Sequence, residues 1–319
     1  MRDVMRDVVV VGGGLCGLAA AYELHKNHIP TTLIEVKPEL GGSLQTKTVN
    51  GFIFDGAMMA HDIAEPGRFE AYLAELGIMD HAFVTDEGRL AFDAGNRVLI
   101  DALARRIESI PRMMRMAVST LGRFDDGRFS ICMENGMLLD ARALVVAIPA
   151  LYAERVFYTL TPEISYRLLD YRYDTITRVS VGYRTSDGLP LVIPPDTPLT
   201  EIQCLTGTPR TPSKNGTVIQ AALRFAAHDL PDDPVGELAA LMGWPPNPDA
   251  DHIATWPHSD PAQWRQSDHP RTVAHIQSLL PAGVALANSD YVPTSAPPHL
   301  DERVQQGIDA ARRIIAHIG

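Results

Sequence analysis

The sequence is poor in cysteine, and its three cysteines form no recognisable motif. Cys16, Cys132 and Cys204 are odd in number and have neither C-x-x-C nor metal-ligand spacing. A disulfide framework and a zinc site are therefore not expected. Few cysteines without a pairing pattern suit a reducing compartment, so we predict a cytoplasmic protein that binds no metal.

An excess of positive charge and long apolar runs are also lacking. The formal net charge is -11 at pH 7, and no basic run offsets it. This charge argues against nucleic acid and anionic membrane surfaces as partners. No window approaches the roughly 20 apolar residues of a transmembrane helix, and the apolar run Val8–Val11 is too short for the core of a signal peptide. We therefore predict a protein with no nucleic-acid partner and no transmembrane segment.

The overall composition is typical of a soluble globular protein. Hydrophobic residues make up 45% and charged residues 21% of the 319 positions. A chain of this length can bury a large core and suggests about two domains.

A strand followed by three spaced glycines opens the chain. The run Val8–Val11 has no polar break and is typical of a parallel strand buried on both faces. Gly12, Gly14 and Gly17 follow it with the G-x-G-x-x-G spacing. The first glycine allows a tight turn, the second lets backbone approach a pyrophosphate, and the third lets the next helix pack on the strand. The phosphates would then lie at the positive end of that helix.

The segments that follow predict an alternating α/β order. A helix is predicted to end near Asn27, and a strand from Thr31 ends at Glu35, whose carboxylate is placed to bond a ribose hydroxyl. The further predicted elements are helices at 66–77 and 96–110, strands at 52–54, 116–121, 128–133 and 143–148, a helix at 151–170, strands at 175–183, 191–193, 201–205 and 217–223, a helix at 233–242, a strand at 253–256, a helix within 269–280, a strand at 283–287 and a helix at 300–318.

Four sequence blocks occur in a fixed order along the chain. They are the glycine motif with Glu35, then Gly41-Gly42 with Thr46 and Gly51–Gly56, then Asn135–Ala150, and finally Ala287–Tyr291 with Gly307 in the last helix. The second block is similar to the signature GG…T…GF.FD.G. Together the blocks resemble the flavin amine oxidase superfamily and, within it, the protoporphyrinogen oxidases.

This resemblance implies an α/β fold, in which an FAD/NAD(P)-binding Rossmann-like domain is joined to a smaller α+β substrate domain, reduced relative to the family. The FAD-binding domain would be discontinuous, with residues 1–57, 95–158 and 275–319, and the substrate domain would hold residues 58–94 and 159–274. FAD would be bound non-covalently, because no cysteine lies in the C-terminal block where covalent members attach flavin.

The resemblance also implies which residues contact the cofactor. The matching positions are Gly12, Gly14, Leu15, Cys16, Gly17, Glu35, Val36, Lys37, Gly41, Gly42, Ser43, Leu44, Gly56, Ala57, Met58, Val118, Ala147 and Asp290. Met59 and His61 would lie near the flavin as candidates for a catalytic contact, although a lone histidine is more often structural. A helix N-terminus lowers a thiol pKa, but a bound pyrophosphate would oppose this at Cys16, which we predict to be a packing residue.

Of two departures from the family, the first, at Ser43, removes a phosphate contact and the second bears on the substrate. Ser43 stands where many relatives have arginine. The segment between Met79 and Ala94 is too short for the helical insertion that shapes the substrate cavity in the family. A second copy of the chain, as a homodimer, or a lid-supplying partner protein is therefore one expected way of completing the site.

The implied activity is that of an FAD-dependent oxidoreductase. It would transfer a hydride from an amine or a hydrophobic CH–NH or CH–CH substrate to flavin N5, with oxygen or another acceptor reoxidising the flavin. Two alternatives stay open. One is a flavin-dependent isomerase of the UDP-galactopyranose mutase type, which would need arginines such as Arg172, Arg178 and Arg224 above the flavin. The other is a non-catalytic flavoprotein subunit.

Overall fold

The computed structural model describes residues 6–185, 188–225, 231–261 and 268–319. The described residues form two compact units, each built from non-consecutive segments. The first unit comprises residues 6–42, 100–172 and 268–319, and the second comprises residues 43–99 and the described part of 173–261. The predicted domain boundaries differ from these limits by several residues, and the assignment of cofactor and substrate to separate domains stays a prediction.

The described residues form strands and helices, and several strands follow one another directly along the chain. In order they are β1 (Arg6–Val11), α1 (Leu15–Lys26), β2 (Thr31–Glu35), β3 (Thr46–Val49), β4 (Phe52–Asp55), β5 (Ala60–His61), α2 (Pro66–Leu76), β6 (Ala82–Val84), β7 (Leu90–Phe92), α3 (Arg97–Arg106), β8 (Arg112–Met114), β9 (Val118–Arg123), β10 (Phe129–Met133), β11 (Leu138–Val146), α4 (Ala150–Phe157), α5 (Pro162–Leu168), β12 (Tyr173–Tyr183), β13 (Leu199–Thr206), β14 (Thr217–Phe225), α6 (Pro234–Met242), β15 (Ala250–Pro261), α7 (His269–Leu279), β16 (Val284–Leu286) and α8 (Leu300–Ile318). Short 3-10 helices lie at Met79–His81 and Ser289–Tyr291.

The first unit contains a seven-stranded sheet with the order β8-β2-β1-β11-β10-β9, in which β16 also pairs with β11. Strands β1, β2, β8, β11 and β16 are parallel to their neighbours in this set, whereas β9, β10 and β11 form an antiparallel meander. The carboxyl ends of the parallel strands therefore meet at one edge of the sheet, which is where ligands bind in open α/β folds.

Small residues bring the helices of the first unit close together. Ala19, Ala20 and Ala21 of α1 are fully buried. Gly307 of α8 faces the same helix, since a Cβ added to it would lie 2.2 Å from the carbonyl oxygen of Cys16. The close approach of α8 to α1 therefore depends on a residue without a side chain at position 307.

The second unit contains a four-stranded antiparallel sheet with the order β13-β14-β12-β15. One face packs against α6, where Val179 and Ile219 of the sheet belong to the same apolar cluster as Leu238 and Met242. The opposite face contributes Leu205 and Val218 to a second cluster, with Phe52, Phe54, Met59 and Ala250. The segment between β4 and β5 is thus anchored to this sheet.

Most of the predicted elements are confirmed within a few residues, but two predictions are wrong. Residues 191–193 are irregular rather than a strand, because Pro190, Pro194 and Pro195 flank them and cannot donate to a sheet. The helix predicted at 151–170 is two helices, with Pro162 at the start of α5. The short strands β3, β5, β6, β7 and β8 were not predicted, and β11 begins at Leu138, earlier than expected. No helix in the described ranges is long and apolar enough to cross a membrane.

Candidate functional site

The turn between β1 and α1 requires glycine at two of the three motif positions. Gly12 has φ +108, and a Cβ there would lie 2.4 Å from the carbonyl oxygen of Ala147. A Cβ on Gly17 would lie 1.9 Å from the carbonyl oxygen of Gly12. Both contacts are with backbone, which cannot move aside as a side chain can. The tight turn and the close packing that the spacing predicts are therefore present.

Gly14 differs from the other two glycines because open space lies in front of it. A Cβ on Gly14 would meet only the Cα of Gly42, at 4.0 Å. Gly42 has φ +62 and belongs to the glycine pair Gly41-Gly42 of the second sequence block. The pair is bound to the turn, because the N–H of Gly41 donates to the carbonyl oxygen of Gly13 at 2.8 Å. The backbones of Gly14 and Gly42 therefore lie next to each other, and no side chain comes within 4 Å of the Cβ position of Gly14.

Glu35 holds this arrangement together from the end of β2. Its carboxylate accepts hydrogen bonds from the N–H of Gly13 at 2.6 Å and from the N–H of Lys37 at 2.7 Å. Each carboxylate oxygen has a second lone pair, so these bonds leave capacity for a ribose hydroxyl. Glu35 is buried, whereas Val36 is 60% exposed. Val118 starts β9 two residues after Met116, whose N–H donates to the carbonyl oxygen of Glu35.

The start of α1 carries no compensating negative charge of its own. Gly14 is the N-cap, no side chain caps the helix, and no acidic residue lies in the first turn. Leu15 and Cys16 are buried there. Burial raises the pKa of the Cys16 thiol to about 11, so the thiol stays neutral. The positive end of the helix dipole is thus left for an external anion.

The loops that follow β11 and β16 lie at the same sheet edge. The N–H of Ala147 donates to the carbonyl oxygen of Val11. Asp290 is buried; its carboxylate accepts a hydrogen bond from the N–H of Ala150 at 2.8 Å, and its backbone oxygen accepts one from the Tyr171 hydroxyl at 3.0 Å. Ala150 is the first residue of α4, where a carboxylate is favoured by the helix dipole. Asp290 therefore fixes the start of α4. The Tyr171 hydroxyl, which donates to the backbone oxygen of Asp290, has a pKa that is raised by burial.

The remaining predicted cofactor residues belong to the second unit. Leu44 is fully buried, and Ser43, Ala57 and Met58 are partly buried. Gly56 is held from two sides: its N–H donates to the carbonyl oxygen of Gln45, and its own carbonyl oxygen accepts from the indole N–H of Trp256 at 2.6 Å.

The two predicted catalytic residues are embedded in this unit. The His61 ring nitrogen Nε2 lies 2.9 Å from Oδ1 of Asn96, and both side chains are buried. Met59 is fully buried in the apolar cluster, and its N–H donates to Oε1 of Gln203 at 2.8 Å. These contacts are those of anchoring residues, and the catalytic roles of His61 and Met59 stay predictions.

The second unit also contains a buried ion pair that the sequence did not reveal. Arg210 and Asp55 are both fully buried, and Nη1 of Arg210 donates to Oδ2 of Asp55. The other carboxylate oxygen accepts from Thr46 Oγ1 and from the N–H of Asn96. Nothing in the sequence pairs position 210 with position 55, because Arg210 lies in a loop without periodicity.

A family model and several curated proteins match parts of the chain. The model described as an NAD(P)-binding Rossmann-like domain matches residues 10–76. Coproporphyrinogen III oxidase from Bacillus subtilis (strain 168) is 29% identical over 126 residues, which are 38% of this chain and 26% of that protein. Protoporphyrinogen oxidase 2, chloroplastic/mitochondrial, from Arabidopsis thaliana is 37% identical over 73 residues, 23% of this chain and 14% of that protein. The chain thus matches only about a quarter or less of the length of these relatives.

Solved structures match over nearly the whole chain. A putative protoporphyrinogen oxidase from Exiguobacterium sp. 255-15 has a TM-score of 0.79 at 14% identity, with 98% of each chain covered. Putrescine oxidase bound to putrescine has a TM-score of 0.75 at 14% identity, with 98% of this chain and 99% of that chain covered. Cyclohexylamine oxidase from Brevibacterium oxydans IH-35A has a TM-score of 0.70 at 14% identity, with 99% of each covered. These matches confirm the predicted fold class, since the chain has the same fold as these oxidases.

Proposed function

We propose that the protein is an FAD-dependent oxidoreductase that binds FAD non-covalently at the carboxyl edge of the first unit's sheet. The observation that supports this best is the free space at the Cβ position of Gly14, where the Cα of Gly42, at 4.0 Å, is the one atom that an added Cβ would meet. Gly12 and Gly17 are required by the fold itself, but nothing in the apoprotein requires glycine at position 14. A ligand that must approach the backbone closely explains that glycine.

The residues of the first unit fit the parts of the cofactor. The uncapped start of α1 suits the pyrophosphate, and the carboxylate of Glu35 suits a ribose hydroxyl. Gly41 and Gly42 leave space for the same ligand from the other side of the turn. The contacts predicted for Ser43, Leu44, Gly56, Ala57 and Met58, which belong to the second unit, stay predictions.

When bound, FAD would accept a hydride from the substrate and pass the electrons to an acceptor. The chain's own contribution is to hold the backbone in place. Asp290 keeps the loop after β16 fixed to α4, and Trp256 keeps the carbonyl oxygen of Gly56 fixed. The Cys16 thiol is neutral at physiological pH. It therefore adds no negative charge that would repel the phosphates.

The substrate we propose is a small molecule oxidised at a CH–NH or CH–CH bond. The named substrates of similar proteins support this range, since they include a porphyrinogen in one group and amines in another. A homodimer or a partner protein that completes the substrate site belongs to the same proposal.

The isomerase alternative has little support from the arginines that it needs. Nη1 of Arg178 lies 3.6 Å from a carboxylate oxygen of Glu201, and Nε of Arg224 lies 3.5 Å from one of Asp174. Arg172 donates to the carbonyl oxygen of Leu169 at 2.6 Å. These arginines already have acidic or backbone partners, so a diphosphate substrate would have to compete with them.

The visible absorption spectrum of the purified protein tests the core of the proposal. We expect the bands of oxidised flavin, either as isolated or after reconstitution, and release of intact FAD on denaturation. A colourless protein that takes up no FAD would refute it. Peroxide release on a panel of amines and on coproporphyrinogen and protoporphyrinogen then tests the reaction, and a holoprotein whose flavin none of these substrates reduces would favour the non-catalytic alternative.

A further inference from the structure

Helices α1 and α8 lie side by side and run in the same direction. Gly307 of α8 faces Cys16 of α1, and further along both helices Nε of Arg312 lies 2.9 Å from Oε1 of Glu23. Because the contacts advance along both helices together, residues before Gly307 lie beside the start of α1. Arg303 is one helical turn before Gly307. Helical side chains lean towards the helix N-terminus, so Arg303 extends towards the glycine turn.

Arg303 is partly buried, and its guanidinium is not fully satisfied by the described residues. Its Nε atom is buried without a hydrogen-bond partner, and among the described residues no carboxylate forms an ion pair with Arg303. A buried, unsatisfied cationic donor is costly and is rare in native proteins without a reason. The positive charge also acts at the Cys16 thiol, where it opposes the larger effect of burial on the pKa.

The charge of Arg303 acts at the start of α1. At the Cys16 thiol the positive charge of Arg303 and the negative charge of Asp290 act in opposite directions, and the Asp290 carboxylate accepts a hydrogen bond from the N–H of Ala150. The first turn of α1 contributes no acidic residue. The start of α1 therefore has free N–H donors and a cationic side chain near it, which is an environment that a phosphate prefers.

We propose that Arg303 binds the pyrophosphate of the cofactor and makes the site selective for dinucleotides and for ADP over ligands without phosphate. This inference rests on the proposed binding of FAD. It adds to that proposal a residue that neither the glycine motif nor the family-like blocks include.

Binding of FAD, ADP and riboflavin to the apoprotein tests the inference. We compare the wild type with Arg303→Gln, which removes the charge, and with Arg313→Gln, a matched control on an exposed part of α8. Loss of a charge-assisted contact should weaken FAD and ADP binding about 10- to 100-fold in Arg303→Gln. Riboflavin binding should not change, and Arg313→Gln should behave as the wild type. Added salt should weaken FAD binding less in Arg303→Gln than in the wild type.

The melting temperature of Arg303→Gln and the affinity of a variant that keeps the charge provide a second test. Because the guanidinium of Arg303 is not fully satisfied by the described residues, Arg303→Gln should not lower the melting temperature without ligand. It should instead reduce the rise in melting temperature that FAD causes. Arg303→Lys, which keeps the charge without the planar guanidinium, should restore part of the FAD and ADP affinity.

Four outcomes would overturn the inference. Equal FAD affinity of Arg303→Gln and the wild type would show that Arg303 does not contact the cofactor. Tighter binding by Arg303→Gln would show that the side chain obstructs the site. A parallel loss of riboflavin affinity would show a general structural role. Absence of FAD binding by the wild type itself would refute the proposed function, and with it this inference.

Discussion

Replacement of Gly14 by alanine tests whether the glycine at this position is required for the stability of the fold or for binding of the cofactor. Gly14 has φ -75 and ψ -177, an extended conformation that any residue adopts. The added methyl group would meet only the Cα of Gly42, at 4.0 Å, an ordinary van der Waals contact. Alanine therefore fits the apoprotein without displacing any neighbour.

The two expected effects differ in size. Alanine is a poorer N-cap than glycine, which should cost at most about 1 kcal/mol of apoprotein stability. If the pyrophosphate passes against Gly14, the methyl group overpacks the site. Overpacking costs about 1–3 kcal/mol, which corresponds to FAD binding that is roughly 5- to 150-fold weaker.

Fluorescence titration of the apoprotein with FAD, beside thermal unfolding without FAD, measures both quantities. Gly67→Ala is the matched control, because nothing lies within 4 Å of its added Cβ on α2. Gly17→Ala is the opposite reference, since its Cβ would lie 1.9 Å from the carbonyl oxygen of Gly12 and should destabilise the fold itself. If Gly14→Ala binds FAD as tightly as the wild type, the cofactor does not approach this backbone and the reasoning is wrong.

Three further predictions concern the buried polar groups. Asp55→Asn should lower the free energy of unfolding in urea by about 3–5 kcal/mol, because Arg210 stays buried without its carboxylate partner. The double variant Asp55→Asn with Arg210→Met should lose less free energy of unfolding than the two single variants lose in sum. In Glu35→Gln only one oxygen is left to accept from Gly13 and Lys37, so about 1–3 kcal/mol of stability should be lost together with FAD affinity; unchanged unfolding would contradict the assigned bonds. The Cys16 thiol has its ordinary pKa of 9.0 in the unfolded chain and a pKa of about 11 in the folded protein. Between these pH values the free energy of unfolding of the apoprotein should therefore fall by about 2–3 kcal/mol more in the wild type than in Cys16→Ala. Parallel pH profiles of the two proteins would refute this prediction.

The sequence was sufficient where one segment specifies its own structure. The valine run, the glycine spacing and Glu35 predicted β1, α1 and β2 because each signal is local, and the structure adds only that Glu35 accepts bonds from the turn itself. The pattern at Pro66–Leu76 likewise sufficed for α2, whose N-terminal proline and following glycine mark its two ends.

Contacts between distant segments could not be predicted. Arg210 meets Asp55 only because the β3–β4 hairpin and the loop after β13 are brought together in three dimensions. Arg303 lies beside the glycine turn because two helices pack in parallel, and this depends on Gly307. The apolar residues Leu191, Val192 and Ile193 predicted a strand, but flanking prolines removed the donors that a strand needs.

The order of the segments in the first unit has a consequence for the synthesis of the protein. The chain leaves this unit after Gly42, returns at Ile100 and leaves again after Arg172. Strand β16, which pairs with β11, and helix α8, which lies against α1, are translated after the other elements of this unit. A nascent chain still attached to the ribosome therefore exposes one side of α1 and part of the edge of β11 until these two elements have been translated. If α8 contributes Arg303 to a nucleotide site at the first glycine turn, as proposed above, a chain truncated before Leu300 should bind the nucleotide less tightly.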